Sequence, residues 1–265
     1  MNIDYALLNQ ALYVVTEEDA DALLTVPGEH LAEPEGMQAF LSHYMNMIKG
    51  RDLQVAAAYF ASSCRTLLTA RLYFMTACEG SPDLSLRNLT VEIRMANNYP
   101  CIFFVIGDLA MKSWPAVQDD AWRQETAGLW LESTLRPVME AAAKVSGLPV
   151  QQLWGQMPLG VEFYLDYLGK MTGDSSCHER LVEQMAFLAK DVHASWFGLS
   201  RNPFDLKAVW LDDPYRPGNK TRMKPTCCLA YRTDSGHGYC YGCPKLTKAE
   251  RAEKYHEITR AQAAR

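Results

Sequence analysis

Four of the eight cysteines lie within seventeen residues near the C-terminus: Cys227-Cys228, a spacer of eleven residues, then Cys240-Tyr241-Gly242-Cys243-Pro244. Four thiolates gathered by one short loop can hold a metal centre, so the fold must bring both ends of that loop together. The other cysteines (Cys64, Cys78, Cys101, Cys177) are scattered singly. Cys101 lies in an apolar run and reads as a small apolar residue.

The spacing bears on which centre. A structural zinc ribbon repeats the Cys-x-x-Cys pair, because each pair folds a tight turn around one tetrahedral ion. Here one pair has that spacing and the other is a bare Cys-Cys. Adjacent residues tend to project in different directions, so two neighbouring thiolates do not readily take two corners of one small tetrahedron. A [2Fe–2S] cluster is larger, and each of its irons takes two terminal thiolates. The spacing therefore favours a two-iron cluster over a structural zinc module, with a redox disulfide third. His237, three residues before Cys240, reads as a surface histidine or one beside the ligands, since four cysteines already suffice.

Charge is unevenly placed around this loop. From Pro214 onward 11 Lys and Arg stand against 4 Asp and Glu, whereas the preceding residues hold 15 against 27. An acidic body thus carries a basic tail, which invites an anionic partner near the cysteines or is simply a solvated face. No basic start followed by an apolar run opens at Met1-Asn2-Ile3-Asp4, and the run Cys101–Gly107 is far shorter than the roughly 20 residues a bilayer span needs. Eight cysteines without an export signal argue for metal or redox use in the cytosol rather than a disulfide framework.

The body reads as helix-rich. Helical spacing is expected over residues 3–15, 35–48 and 53–78, the last apolar on more than one stripe and so deep in the core. Arg65 and Arg71 within it are expected to pair with acidic neighbours. The period then changes: Leu89, Val91, Ile93 and Met95 alternate with Thr90, Glu92, Arg94 and Ala96, a half-buried strand. Asn97-Asn98-Tyr99-Pro100 is turn chemistry, and Cys101–Ile106 makes a second strand of a hairpin. Helices follow over about 119–145, kinked or divided at Pro137, and 150–171, broken near Pro158 and Gly160. A capping box at Ser176-Cys177-His178-Glu179 opens another, running to about 195. His178 and His193 have no acidic or cysteine partner in register. Five prolines and glycines between 201 and 226 exclude long regular structure there, apart from a short strand at 208–211. Thr247-Lys248-Ala249-Glu250 is a second capping box, opening a final charged helix. The expected fold class is α+β, predominantly helical, with a β-hairpin or small antiparallel sheet in the middle and a Cys-rich C-terminal segment. Neither a P-loop nor GxGxxG nor HExxH occurs, and no nucleic-acid partner is expected.

The segments Lys224-Pro225-Thr226-Cys227-Cys228-Leu229-Ala230-Tyr231-Arg232 and Tyr239-Cys240-Tyr241-Gly242-Cys243-Pro244-Lys245 resemble the C-terminal motif of the FhuF-like ferric siderophore reductases. That motif is Cys-Cys, ten residues, Cys-x-x-Cys, and it holds one [2Fe–2S] cluster; the spacer here is one residue longer. The loop Asp234-Ser235-Gly236 can absorb the extra residue, which nonetheless leaves the chain off the family's main pattern. Arg136-Pro137 and Leu153-Trp154-Gly155-Gln156 are similar to the family's Arg-Pro and Leu-Trp-Gly-Asn region, with Gln156 where Asn is usual. The first half agrees only in length and helical character.

The resemblance implies a cytosolic reductase, peripheral to the inner membrane, that takes an imported ferric siderophore, hydroxamate-type before others. Its electron donor would be a ferredoxin or a reductase. It implies a body over 1–212 like the helical palm of siderophore synthetases, and a [2Fe–2S] segment over 213–265. The cluster ligands would be Cys227, Cys228, Cys240 and Cys243. Ferric iron is held through hard oxygen donors and ferrous iron far less tightly, so one electron releases the metal; no catalytic residue beyond the cluster is required. Arg222, Lys224, Arg232, Trp154 and Tyr239 are the candidate substrate-binding residues, and Lys245 also flanks the cysteines. The alternatives are a helical binding protein whose four cysteines form a structural zinc module, and an enzyme related to siderophore synthetases. Against the latter stands the want of an added ATP-binding domain in 265 residues.

Overall fold

In the computed structural model, which describes residues 3–236 and 238–263, the first helix opens on Asp4. The Asp4 carboxylate accepts the Leu7 N–H at 2.9 Å, and α1 runs Tyr5–Leu12. The helical spacing over 3–15 stops early because Tyr13 turns left-handed (φ 55°), and Val14–Val15 form a strand, β1. The segment Leu24–Pro27, read as loop, is also a strand, β2. After a 3₁₀ turn come α2 (Pro34–Met47) and α3 (Leu53–Ala77). Asp52 caps α3 through the Val55 N–H at 3.2 Å. This long helix is buried on most of its circumference, as its apolar stripes require.

Three short and long strands follow: β3 (Gly80–Ser81), β4 (Leu89–Ala96) and β5 (Tyr99–Ile106). Ala96 pairs with Tyr99, so the hairpin turn is only Asn97-Asn98, and Tyr99 and Pro100 already belong to the strand. Both asparagines have positive φ (52° and 61°), the conformation that a two-residue hairpin loop demands and Asn tolerates. The sheet order is β1-β5-β4-β2, with β1 parallel to β5 and the other pairs antiparallel. Each face departs once from the expected alternation: Glu92 is wholly buried on the face expected to be polar, and Met95 is exposed on the apolar one. Glu92 is tolerated there because Arg94 lies at 2.6 Å and the Thr25 hydroxyl donates to it at 3.3 Å.

A small strand β6 (Lys112–Ser113) pairs with β3 and leads to α4 (Asp120–Trp130) and α5 (Arg136–Ser146). Between them the helix widens into a π turn, Leu131–Leu135. Pro137 lacks an N–H and its ring crowds the preceding turn, so the helix accommodates it by widening just upstream rather than by dividing. Gly147 ends α5 in the left-handed region (φ 72°). Then come α6 (Val150–Trp154), α7 (Pro158–Met171) and α8 (Ser175–Lys190). The cap of α8 is Asp174, which accepts from the Ser176 and Cys177 N–H groups; Ser176 is already helical. His178 does find a carboxylate, Asp166 of α7 at 2.9 Å, and His193 caps the 3₁₀ turn at Ala194–Phe197. A hairpin of β7 (Trp210–Asp212) and β8 (Lys220–Arg222) follows, and α9 (Lys248–Ala263) ends the described chain. Its capping box forms as expected: Thr247 N–H to Glu250 at 2.8 Å and Glu250 N–H to the Thr247 hydroxyl at 3.2 Å.

One contiguous core runs from Leu7 through α3 and α7 and includes Cys227, Leu229 and Cys243. The cysteine segment therefore shares the body's core. Neither Arg65 nor Arg71 has a carboxylate within ion-pair distance among the described residues, contrary to expectation. Arg71 lies instead over the Trp114 and Trp130 rings (5.2 and 5.9 Å), and burial pulls its pKa down to about 10. No helix among the described residues is long and apolar enough to cross a membrane.

Candidate metal centre

The two halves of the cysteine motif hang from different parts of the body, mostly by their backbones. At the Cys-Cys half, the Gln156 amide donates to the Cys227 carbonyl at 3.1 Å and to the Thr226 hydroxyl at 2.7 Å. Gln152 donates to the same carbonyl at 3.3 Å. Gly155 lets this strand come close: a Cβ there would stand 2.5 Å from Thr226 Cγ2. The two halves meet where the Lys224 N–H donates to the Gly242 carbonyl at 2.8 Å. At the Cys-x-x-Cys half, Arg251 of α9 reaches back to three carbonyls: Cys243 at 2.9 Å, Leu246 at 3.3 Å, and Tyr241.

The spacer is anchored as well. Its 3₁₀ turn, Ala230–Arg232, docks on the entry to α3: the Arg51 N–H donates to the Arg232 carbonyl and the Asp234 N–H to the Lys49 carbonyl, each at 3.0 Å. The Arg232 guanidinium binds the Asp52 carboxylate and, at 2.7 Å, Gln54. His237 lies outside the described residues.

Two of the four sulfurs are in contact, and the other two flank one ammonium. Cys227 Sγ and Cys243 Sγ are buried and 3.5 Å apart. The Leu229 N–H, two residues on, donates to Cys227 at 3.4 Å, and the Lys245 backbone favours the Cys243 thiolate. Leu229 is held in the left-handed region (φ 60°), an uncommon conformation for a leucine and one that points to constraint at this turn. Cys228 and Cys240 are half-buried and share the Lys224 ammonium, which lies 3.7 Å from Cys228 Sγ. Burial lowers the Lys224 pKa, but negative charge on Cys228 and Cys240 outweighs it and holds the group above its ordinary value. Burial pushes the Cys240 and Cys243 thiols up, so metal coordination would be what deprotonates them.

Among the described residues, no three His, Cys, Asp or Glu side chains converge tightly enough to hold one metal ion. The donor set is instead one contacting thiol pair and two further thiols beside one ammonium. A two-iron cluster takes one pair of thiolates per iron, so the chemistry of the donor set fits such a group.

The expected substrate residues fare differently. Lys224 faces the site and a cavity beside it. Arg222 is engaged by the Glu162 carboxylate and lies over the Trp210 ring, and Arg232 is the spacer's anchor. Trp154 is wholly buried, edge-on to Phe197, and has no surface to offer a substrate; its place in the core explains the Trp, and Gly155 and Gln156 touch the cysteine segment. Tyr239 packs on Tyr231 (centroids 4.4 Å apart), and Lys245 Nζ lies 3.3 Å from the Tyr231 hydroxyl. The sequence reading missed Arg251, whose signal is hidden in a charged helix, and the cavity itself. That cavity, about 300 Å³, is walled by tyrosines of several elements, with Arg65, Lys224 and Cys228 in its lining.

The chain matches no protein-family model, no curated protein and no solved structure. The resemblance to FhuF-like reductases therefore rests on the residues quoted for it.

Proposed function

We propose that the chain is a one-electron reductase of ferric siderophores, using a [2Fe–2S] cluster held by Cys227, Cys228, Cys240 and Cys243. The observation that carries this reading is the gathering of the four thiols at the edge of a cation-lined cavity. When bound, such a cluster supplies one electron at a time, the stoichiometry that converts tightly held ferric iron to weakly held ferrous iron.

The chain's own residues set the conditions for that transfer. The Leu229 N–H and the Lys245 backbone stabilise negative charge on Cys227 and Cys243. Lys224 does the same for Cys228 and Cys240, and hydrogen bonds and positive charge at sulfur raise a reduction potential. Burial of Cys227 and Cys243 keeps water from one side, while half-exposed Cys228 leaves an approach from the cavity. No general acid, base or nucleophile is needed for electron transfer itself. The proposal places this activity in the cytosol, at or near the inner membrane face, with a ferredoxin or a reductase as electron donor.

The test is anaerobic reconstitution followed by metal and sulfide analysis. Two irons and two acid-labile sulfides per chain are expected, with visible absorbance that an added reductant bleaches and a ferric siderophore restores as it takes the electron and re-oxidises the cluster. Cys240→Ser and Cys243→Ser lose the absorbance and the turnover and keep the helical far-UV signal; Cys64→Ser and Cys177→Ser keep all three. A colourless protein with one tightly bound zinc, or unchanged iron–sulfur absorbance in both ligand variants, refutes the reading.

A further inference from the structure

The cavity beside Cys228 has a one-sided chemistry. Its lining combines Tyr59, Tyr99 and Tyr164 with Arg65 and Lys224, and no carboxylate among the described residues lines it. Among the described residues, Arg65 has no carboxylate within ion-pair distance and Lys224 faces only the Cys228 and Cys240 sulfurs, so two cations among phenols match a ligand that is negatively charged and rich in oxygen acceptors.

Arg65 is the most telling of these groups. Its Nε is cut off from solvent and has no hydrogen-bond partner. A buried donor left unpaired is costly, and a ligand acceptor would remove that cost. One Nη donates to the Ser62 hydroxyl, and the guanidinium lies 5.7 Å from the centre of the Tyr164 ring. Gly160 of α7 makes room for the arginine stem: a Cβ there would stand 2.0 Å from Arg65 Cδ. A second, smaller cavity of about 110 Å³ shares Ser62, Arg65, Lys224 and Cys228 with the first, so Arg65 stands between two clefts. Tyr59 and Tyr99 both line the cavity, and burial raises both phenols, which keeps them protonated as donors.

Volume limits what can enter. About 300 Å³ is the low end for a cleft that takes a drug-sized ligand, and a metal wrapped by three bidentate arms is larger than that. We propose that this cavity binds one anionic, oxygen-rich arm of the metal chelate through Arg65 and Lys224, the bulk of the chelate staying outside, and that the protein thereby selects chelates by the charge of that arm. The inference rests on the reductase reading for the presence of a metal chelate, and on the cavity for its charge.

The test uses one metal core with three charges. Gallium(III) complexes of a linear tris-hydroxamate bearing a pendant ammonium, acetamide or succinate group cannot be reduced by the protein and differ only at that arm. Titration calorimetry on the full, reconstituted chain is expected to rank them succinate, acetamide, ammonium, with at least about a tenfold span, as charge reversal beside a partly desolvated cation implies. Arg65→Gln compresses the span to within about threefold, and Arg65→Lys, which keeps the charge, retains the order. Equal affinity for all three complexes, no binding of any, or a span that stays about tenfold in Arg65→Gln overturns the proposal. The ferric counterparts separate the two readings. Reduction without any charge order overturns the site and leaves the reductase standing. Charge-ordered binding of complexes that are never reduced leaves the site standing and overturns the reductase. Should Arg65→Gln not fold, the wild-type charge series and Arg65→Lys still decide.

Discussion

Arg251→Ala is expected to loosen the Cys-x-x-Cys half without unfolding the body. Arg251 belongs to α9, a helix with no buried residue of its own, so little apolar area holds it to the protein. What docks it is the guanidinium, donating to the Tyr241, Cys243 and Leu246 carbonyls, helped by the Tyr241 ring, which lies 6.0 Å from the Arg251 guanidinium and 6.2 Å, tilted, from the Tyr255 ring. A hydrogen bond from a charged donor contributes about 1.5–3 kcal/mol net. Three such bonds from one half-buried side chain do not add in full, so about 2–4 kcal/mol of local docking energy is at stake. That corresponds to a rise of about 30- to 800-fold in the open fraction of residues 240–263. Native-state hydrogen exchange reads this directly: amides of 243–260 should exchange faster by that factor, while amides of α3 keep their protection. The same variant should lose the proposed cluster faster on exposure to chelator. Unchanged exchange in α9, or equal acceleration throughout α3, would show that Arg251 is not the local clamp inferred from these contacts.

Gly155→Ala places a methyl 2.5 Å from Thr226 Cγ2 and 3.0 Å from its hydroxyl, so the segment carrying Cys227 must shift; a loss of about 1–3 kcal/mol in denaturant unfolding is expected, and Thr226→Ala in the same chain should recover most of it, as a double-mutant cycle will reveal. Asp166 is held below the usual carboxylate range by its hydrogen bond to Lys170 at 2.5 Å and then by His178. Because the folded pKa is the lower one, the stabilisation is present above the unfolded value near about 3.9 and vanishes as pH falls through the folded value. The carboxylate is 42% exposed, so solvent screening limits the effect to about 0.5–1 kcal/mol. Asp166→Asn should therefore cost that much at pH 6 and less at pH 2 by thermal melts; an equal cost at both pH values contradicts the electrostatic account.

Long, strongly patterned elements were legible in the sequence, and contacts between distant elements were not. The stripes of α3, the Asn97-Asn98 hairpin, the break before Pro158 and the Thr247–Glu250 cap all follow from local chemistry, and all four appear. A two-residue parallel strand such as Val14–Val15 carries no periodicity, and it looked like the end of a helix until the left-handed Tyr13 is seen to cut it. Asp174 and Ser176 are both good caps two residues apart, and only the structure chooses Asp174. At the site, the cysteines advertise themselves by spacing, whereas Arg65 and Arg251 are recognised only by what the fold places opposite them. An arginine in an apolar helix suggested a carboxylate partner; the fold supplies a tyrosine ring and an empty-handed Nε instead. Trp154 drew attention through its Leu-Trp-Gly-Gln segment; Gly155 and Gln156 of that segment do touch the cysteine segment, but the Trp154 ring itself is wholly buried.

The way the cysteine segment is hung argues for a site assembled before any metal arrives. Gln152, Gln156 and Arg251 between them grip four carbonyls, and the Lys224 N–H grips a fifth, so the loop backbone is fixed without using the sulfurs. That differs from a small zinc module, in which the metal supplies most of the folding energy and its removal unfolds the chain. Cys227 and Cys243 can stand in the core as neutral thiols, since each packs among apolar residues. Lys224 cannot be satisfied the same way. It is half-buried, it faces Cys228 and Cys240, and no carboxylate lines the cavity it borders among the described residues. A partly desolvated ammonium without a carboxylate partner is destabilising, so this position favours whatever keeps its two cysteines anionic. Coordination by the proposed cluster would do that permanently, and an anionic ligand arm in the adjoining cavity would add to it. Lys224 thus links the two proposals physically: the same charge that stabilises thiolates on one side attracts the chelate on the other.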